Sequence, residues 1–152
     1  MKQIQLSESC QEINKYKRND HSVGVSMYHL EWCTKYRYKI FRKLKYKNLI
    51  DACIRQAAFR NKIKLIELEI EPDHVHCLVE FRFSITVTRV LQLLKGISAR
   101  LFFRFAEKMK LRYPRGHLWS RGSFASSVGF VQFEVVKEYV RNQSKHHNTE
   151  FK

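Results

Sequence analysis

Cysteine is scarce in this sequence, and its arrangement excludes several kinds of protein. The four cysteines stand at positions 10, 33, 53 and 77 and form no CxxC pair. They are too few and too widely spaced for a disulfide-dense secreted scaffold. We therefore expect reduced thiols, with Cys33, Cys53 and Cys77 serving as small buried hydrophobic residues.

Long apolar runs are also missing. No stretch of about 18 apolar residues exists, so the sequence predicts no helix that spans a bilayer. Residues 1–21 are polar and lack the apolar centre of a secretory signal. These absences predict a soluble, cytoplasmic protein.

Acidic residues are outnumbered by basic ones. The chain has 14 Asp and Glu against 29 Lys and Arg, which gives a formal net charge of +15. Solubility alone needs a net charge of only about 2–8 in a small domain. A polyanionic partner is expected, and nucleic acid, an anionic membrane surface and an acidic protein all remain open on charge alone. At 152 residues, the chain fits one domain with a hydrophobic core.

The hydrophobic pattern predicts strand, helix, strand, strand, helix, strand and a further helix. The strands are expected from Gly24, over 62–70, over 74–81 and over 118–130, and the helices around Ile50–Arg60, over Thr86–Lys110 and over 131–147. This order matches an α+β, ferredoxin-like (RRM-like) βαββαβ sandwich with an antiparallel sheet, helices on one face and an extra C-terminal helix. The predicted organisation is a flexible arm over 1–22, a single domain over 23–147 and a tail over 148–152.

The long predicted helix has two distinct sides. Its apolar stripe runs from Val87 to Phe105 at helical spacing and is assigned to the core. Arg89, Arg100 and Arg104 fall together on the other side. That arginine side either faces solvent or contacts phosphate.

The stretch "EPDHVHCLVE" at 71–80 joins two predicted strands. The first strand alternates Ile66, Leu68 and Ile70 with glutamates, which leaves one wet or functional face. If the turn contains an even number of residues, Glu69 and Glu71 share a face with the two histidines. The apolar residues of both strands then share the opposite face.

His74 and His76 stand two residues apart on a strand, so both point to the same side, about 7 Å apart at the backbone. They can chelate one metal ion together, or they can face solvent or hydrogen-bond on the sheet. A metal site needs a further ligand from elsewhere. The candidates are Glu69, Glu71, Asp73, Glu80, Gln143, His146 and His147.

Two further features are candidates for function: a stretch rich in basic and aromatic residues, and a pair of polar residues on one predicted helix. Residues 35–47 hold seven Lys or Arg, three Tyr and one Phe, without an acid. Such interleaving suits phosphate contacts and base stacking, although a solvated loop with its aromatics in the core fits equally well. On the last predicted helix, Tyr139 and Gln143 are four residues apart and therefore share a face.

Five blocks together resemble the single-tyrosine HUH transposases of the insertion-sequence 200/605 family, in which U is a hydrophobic residue. In chain order they are "YHLEWCTKYRYKI" at 28–40, "EPDHVHCLVE" at 71–80, "LKGISARLF" at 94–102, "LWSRGSFASSVG" at 118–129 and "VVKEYVRNQ" at 135–143. They cover nearly everything beyond residue 24. This chain departs from the family at Glu31, where an apolar residue is usual, and at Glu71, where methionine is common.

The resemblance implies a dimer that cuts and rejoins single-stranded DNA near hairpins in a prokaryotic cytoplasm. By position, Tyr139 is the nucleophile that forms a 5′-phosphotyrosine, and His74, His76 and Gln143 hold a divalent metal, Mg²⁺ or Mn²⁺. The tyrosine helix comes from the same or the other subunit. DNA contacts are expected from the basic stretch and the arginine side of the long helix, at Lys35, Tyr36, Arg37, Lys39, Arg42, Arg100 and Arg104.

Other functions remain open at this point. A domesticated relative that cuts repeated chromosomal hairpins has the same catalytic residues. A non-catalytic RNA- or DNA-binding module has the same sandwich. A metal-sensing or metal-storing protein is a third interpretation, with His146 and His147 joining the two strand histidines.

Overall fold

The computed structural model describes residues 18–19, 22–129 and 133–150, with the side chains of 24–129 and 135–143. The main elements are β1 Val25–Thr34, α1 Leu44–Arg60, β2 Lys64–Ile70, β3 His74–Arg82, α2 Val87–Phe105, β4 Trp119–Ser127 and α3 Phe133–Glu150. Short 3₁₀ turns cover Lys35–Arg37, Ile40–Arg42 and Glu107–Leu111, and a small ladder pairs Arg18–Asn19 with Ser22–Val23. Most of the predicted arm, the last residues of the predicted tail and Cys10 lie outside the described residues.

The four main strands form one sheet in the order β2-β3-β1-β4, and every neighbouring pair is antiparallel. This is the order that a βαββαβ chain adopts when both crossover helices pack on one face. The predicted ferredoxin-like α+β fold is confirmed. The two central strands, β1 and β3, are therefore adjacent although they are far apart in the chain.

Helices α1 and α2 cover one face of the sheet and enclose the main hydrophobic core. The predicted stripe of α1 is confirmed by five buried residues: Ile50, Cys53, Ile54, Ala57 and Ala58. The helix begins at Leu44, earlier than predicted, so the end of the basic stretch is helical. On the strands, Val75, Cys77, Val79 and Phe81 face this core, as the alternation predicts.

The cysteines that the structure describes are free. Cys53 and Cys77 are buried, as predicted, and burial raises the pKa of the Cys53 thiol to about 11. Both side chains act as hydrophobic residues, because a buried thiol resists ionisation. Cys33 is only half-buried, contrary to the prediction, because it lies on the other face of β1 next to the Arg37 guanidinium at 3.2 Å.

Helix α2 ends at Phe105, and the prediction that it continues to Lys110 was wrong. Ala106 leaves the helix with φ −128° and ψ 60°. This turn buries Ala106 and lets Tyr113 pack its ring 6.0 Å from that of Phe103, whereas Phe105 is 68% exposed. The assignment of Phe105 to the core stripe was therefore also wrong. The chain leaves the helix and buries Ala106 and Tyr113 instead of Phe105.

The other face of the sheet, which we call the α3 face, packs against α3 over β2 and β3. A small apolar cluster there joins Met27, Leu78 and Val128 to Ile66 and Val136. Ile66 was predicted to face the main core, but an irregularity between Leu65 and Glu67 shifts the pairing of β2 and turns Ile66 to the α3 face. The face that was expected to be wet is partly covered.

Strand β4 forms one edge of the sheet, and the glycine-interrupted strand predicted there is confirmed. Its pairing with β1 shifts between Trp32 and Thr34, opposite residues 120–122. The Lys95 ammonium donates to the carbonyl of Ser120 at 2.7 Å and to the hydroxyl of Ser123 at 2.9 Å, which anchors this irregular segment to α2. Among the described residues, no helix combines the length and apolar character needed to cross a bilayer.

Candidate active site

The predicted histidine pair lies on β3, in the centre of the sheet. Both side chains are buried, with 8% of His74 and 3% of His76 exposed, and both point to the α3 face. The backbone N–H of Glu71 donates to the carbonyl of His74 at 2.8 Å, and Ile70 pairs with Val75. The turn therefore contains an even number of residues, and the predicted hairpin register is confirmed.

This register brings glutamates from both neighbouring strands next to His76. Glu69 of β2 is its partner on one side and Glu31 of β1 on the other. Directly paired residues in a sheet point to the same face. The imidazole of His76 thus lies between two carboxylate-bearing positions.

Three metal-ligating side chains converge on the α3 face: His29 and Glu31 of β1, and His76 of β3. One donor atom from each lies within 4.8 Å of the other two. The rings of His29 and His76 are stacked with centroids 5.8 Å apart, and Oε2 of Glu31 is 3.4 Å from Nδ1 of His76. Burial lowers the pKa of His29, although the Glu31 carboxylate partly offsets this effect. His29 is therefore a neutral imidazole with a lone pair to donate at neutral pH.

His74 is oriented by the turn that precedes it. Its Nδ1 is 2.7 Å from Oδ1 of Asp73, and the guanidinium of Arg37 donates to Oδ2 of the same carboxylate at 3.1 Å. Burial alone raises the pKa of Asp73, but the hydrogen bond with His74 and the Arg37 charge outweigh it and hold that pKa below its ordinary value. An ionised carboxylate on Nδ1 favours the tautomer in which Nδ1 carries the proton and Nε2 carries the lone pair.

Helix α3 brings the predicted nucleophile and amide to the same face. Gln143 is buried on the side that packs on the sheet, together with Val140. Tyr139 is 54% exposed, and its ring lies edge-on to that of His29 with centroids 5.9 Å apart. An ion pair of 2.6 Å between Arg141 and Glu67 ties this helix to β2. The phenol ring is therefore both next to His29 and exposed.

The other candidate ligands from the sequence whose side chains the structure describes lie outside the cluster of His29, Glu31 and His76. Glu80 forms an ion pair of 3.7 Å with Lys64, and Asp73 is engaged by Arg37 and His74. Glu71 is buried, and its Oε1 has no hydrogen-bond partner among the described residues. The side chains of His146 and His147 lie outside the described residues.

Two residues of the cluster, His29 and Glu31, were missed by the sequence analysis. The available signal was their spacing of two on a predicted strand, which puts them on one face. Glu31 was noticed only as a departure from the family. The pairing of β1 with β3, which brings them to His76, is a long-range feature that local periodicity does not contain.

The predicted DNA-contacting stretch follows β1 and lies against the β2–β3 turn. Tyr36, Arg37, Lys39 and Arg42 are exposed and Lys35 is half-exposed. The N–H of Phe41 donates to the carbonyl of Pro72 at 3.1 Å, which holds the loop beside the histidine-bearing turn. Tyr36 and Arg37 have positive φ values of 64° and 53°, which are uncommon for non-glycine residues and are maintained by the surrounding contacts.

A second basic surface, which we call the α2 cleft, lies between α2 and the loop that precedes β4. It has a volume of about 880 Å³ and Glu107 is the acidic residue in its lining. Its basic lining residues are Arg60, Lys95, Arg100, Arg104, Lys110 and Arg121. The predicted pair Arg100 and Arg104 therefore lies in a concave cationic surface, whereas Arg89 is exposed outside the cleft lining.

A family model and two relatives that match this chain are all described as transposases. The family model described as "Transposase IS200 like" matches residues 22–143. The ISDra2 transposase TnpA of Deinococcus radiodurans is 30% identical over 116 residues, which cover 76% of this chain and 82% of that protein. The transposase for insertion sequence element IS200 of Salmonella typhimurium is 25% identical over 123 residues, which cover 81% of this chain and 80% of that protein.

Solved structures show the same relationship. A crystal structure from Deinococcus radiodurans R1 at 1.90 Å resolution, assigned as a transposase, superposes with a TM-score of 0.66 at 29% identity and covers 84% of this chain and 97% of that one. A REP-associated tyrosine transposase bound to a REP hairpin superposes with a TM-score of 0.61 at 10% identity. The superposition covers 86% of this chain and 73% of that one, and it shows that the two share a fold. By its sequence match over 22–143 and its fold, this chain belongs to the IS200-like transposase family.

Proposed function

We propose that this chain is a metal-dependent tyrosine strand transferase that cuts and rejoins single-stranded DNA at insertion-sequence ends. One observation carries the proposal. The ring of Tyr139 is 5.9 Å from that of His29, and His29 stacks at 5.8 Å on His76 of the HVH motif. This contact supports the proposal, because it brings the proposed nucleophile next to side chains of the types that bind metals.

The donor atoms present suit a divalent cation. Two imidazole nitrogens and a carboxylate oxygen lie within 4.8 Å of one another, and the buried Nε2 of His29 has no hydrogen-bond partner among the described residues. His74 and Gln143, the other proposed ligands, are buried on the elements that enclose the same face. Imidazole and carboxylate together suit Mn²⁺, and oxygen ligands suit Mg²⁺. When bound, such an ion polarises and orients the scissile phosphate.

The proposed chemical step belongs to Tyr139. Its Oη loses a proton and bonds to phosphorus, the P–O3′ bond breaks, and the departing 3′ oxygen gains a proton to become a hydroxyl. A phenol has an ordinary pKa near 10, so proton removal and a polarised phosphate are both needed at neutral pH. The covalent link retains the phosphoester energy, so a free 3′-hydroxyl can attack it and rejoin the strand without ATP.

Two surfaces are proposed to hold the DNA. The loop of Lys35–Arg42 adjoins the histidine-bearing turn and offers guanidinium and ammonium groups with an exposed Tyr36 ring. The α2 cleft offers a separate concave surface with several positive charges. Phosphate contacts from the cleft and stacking in the loop suit a substrate with both a hairpin and a single-stranded segment.

A homodimer is proposed as the working unit. Residues 121–127 of β4 are exposed along the edge of the sheet, and Phe124 is 51% exposed. An exposed edge strand offers unpaired backbone groups to another strand. The family resemblance implies a second copy of the chain as the partner, and we propose that this edge is where the second copy binds.

The test of the proposal is covalent capture. We expect purified protein with Mn²⁺ and a hairpin-containing single strand labelled at its 3′ end to give a labelled species of protein size on a denaturing gel. The same strand labelled at its 5′ end gives a shortened free fragment instead. DNA binding without any adduct would support the nucleic-acid-binding module in place of the transferase.

We expect the double variant Arg100→Ala, Arg104→Ala to weaken DNA binding in a salt-dependent way. Each lost phosphate contact lowers the slope of log K against log salt by about 0.7 on a single strand or about 0.9 on a duplex, so the pair should lower it by about 1.4 to 1.8. Fluorescence anisotropy over a NaCl series measures the slope. Arg89→Ala is the matched control, because Arg89 is on the same helix but outside the α2 cleft. Equal slopes in the wild type and the double variant would exclude the cleft.

A further inference from the structure

Glu31 of β1 pairs with His76 of β3, and its carboxylate lies beside the His76 imidazole on the α3 face. We propose that the Glu31 carboxylate is a ligand of the active-site cation, contributed by β1 together with His29. This inference rests on the proposed cation site and gives it a negatively charged ligand. The ligands inferred from the family resemblance, His74, His76 and Gln143, are all neutral.

The distances suit coordination. Oε2 of Glu31 is 3.4 Å from Nδ1 of His76, and the three donor atoms of His29, Glu31 and His76 lie within 4.8 Å of one another. Two neighbouring ligands of an octahedral Mg²⁺ are about 3.0 Å apart and two opposite ligands about 4.2 Å apart. The observed 3.4 Å between Glu31 and His76 lies between these two values, and a separation of 4.8 Å would have to shorten by about 0.6 Å to reach the larger one, which side-chain rotation can supply.

Glu31 has an alternative role as a hydrogen-bond acceptor that orients His76. An N–H to oxygen hydrogen bond normally spans about 2.7–3.2 Å, and the observed 3.4 Å is longer. The side chain of Glu31 is also 39% exposed, so it has room to turn toward an ion and a substrate phosphate. Both observations favour coordination over orientation.

Charge also favours a carboxylate at this place. The chain carries a formal net charge of +15, and a divalent cation held only by neutral ligands in such a protein is opposed by the surrounding field. One carboxylate offsets half of the charge of the ion. Carboxylate oxygens suit Mg²⁺ and Mn²⁺, whereas imidazole suits Ni²⁺ and Zn²⁺. The contribution of Glu31 should therefore depend on which metal is bound.

Titration calorimetry with the full chain, without DNA, tests this inference. We expect Glu31→Gln and Glu31→Val to bind Mn²⁺ at least about tenfold more weakly than the wild type and to lose less affinity for Ni²⁺. Glutamine keeps an oxygen that can accept a hydrogen bond from His76, which is all that an orienting role needs. Lower Mn²⁺ affinity in Glu31→Gln therefore reports the loss of the carboxylate charge. Valine suits a strand, so this variant guards against a folding defect.

Glu80→Gln is the matched control. It removes the same charge from the same face of the sheet, four residues along β3 from His76, or about 13 Å at the rise of a strand. We expect its Mn²⁺ affinity to stay within about twofold of the wild type. An equal loss in Glu80→Gln and Glu31→Gln would mean that charge alone matters, and it would overturn the ligand role.

The remaining outcomes separate this inference from the proposed function. If His76→Ala loses Mn²⁺ while Glu31→Gln binds like the wild type, the cation site stands and Glu31 is not a ligand. If Glu69→Gln weakens binding instead, the carboxylate comes from β2 and the inference is wrong. If the wild-type protein binds no Mn²⁺, both the metal dependence and the role of Glu31 fail.

Discussion

Tyr139→Phe is expected to abolish the covalent DNA adduct and to lower the rate of strand cleavage by about 10⁴-fold or more, the scale seen when an enzyme loses its nucleophile. The variant removes one oxygen atom and keeps the ring beside His29. Since the ring is 54% exposed, the loss of its hydroxyl should change the free energy of unfolding very little. Single-turnover cleavage of a 3′-labelled hairpin strand, resolved on a denaturing gel, measures the effect.

Tyr28→Phe is the control for this prediction. Tyr28 is on the same strand as His29 but packs on the other face, where its ring stacks on Phe81 with centroids 5.7 Å apart. We expect it to cleave at the wild-type rate. Tyr139→Phe should also retain wild-type affinity for Mn²⁺ and for the uncleaved strand. Cleavage that persists in Tyr139→Phe would show that another group attacks the phosphate, and the proposed nucleophile would be wrong.

The fold was predictable because each helix and strand has a recognisable hydrophobic periodicity in its own stretch of sequence. Val75, Cys77, Val79 and Phe81 alternate with the residues of the α3 face, and one such strand fixes which side chains share a side of the sheet. The order of the elements then leaves few topologies, since connections in such sheets are short and of one hand. The position of the last helix across β2 and β3 was not contained in that order.

The site was predictable only in part, because it depends on register between distant strands. The spacing of His74 and His76 within one strand predicts that they share a face. The spacing of Tyr139 and Gln143 within one helix predicts the same for that pair. Glu31 reaches His76 only because residue 31 pairs with residue 76, and nothing within either segment specifies that pairing. Irregular features were missed for a similar reason: the shift that turns Ile66 to the α3 face lies in the pairing of β2 with β3.

His76→Ala is expected to remove the cation and, with it, most of the cleavage activity. His76 is 3% exposed and takes part in both proposed donor sets, the one with His74 and Gln143 and the one with His29 and Glu31. Changes in the outer shell of a metal site alone cost about 10–100-fold in affinity or activity, so the loss of this shared ligand should exceed 100-fold in both. Titration calorimetry with Mn²⁺ and single-turnover cleavage provide the two measurements.

The interpretation of His76→Ala depends on separating lost coordination from lost packing, because the substitution also leaves a cavity beside a buried ring. A cavity lowers the free energy of unfolding but leaves the α2 cleft and the basic loop in place, so affinity for the uncleaved strand in EDTA should match that of the wild type. His117→Ala removes an exposed histidine outside the donor cluster and should keep wild-type Mn²⁺ affinity. If His76→Ala is folded, binds DNA normally and still cleaves at the wild-type rate, the HVH motif has no role in the chemistry, and Tyr139 must act without a cation held there.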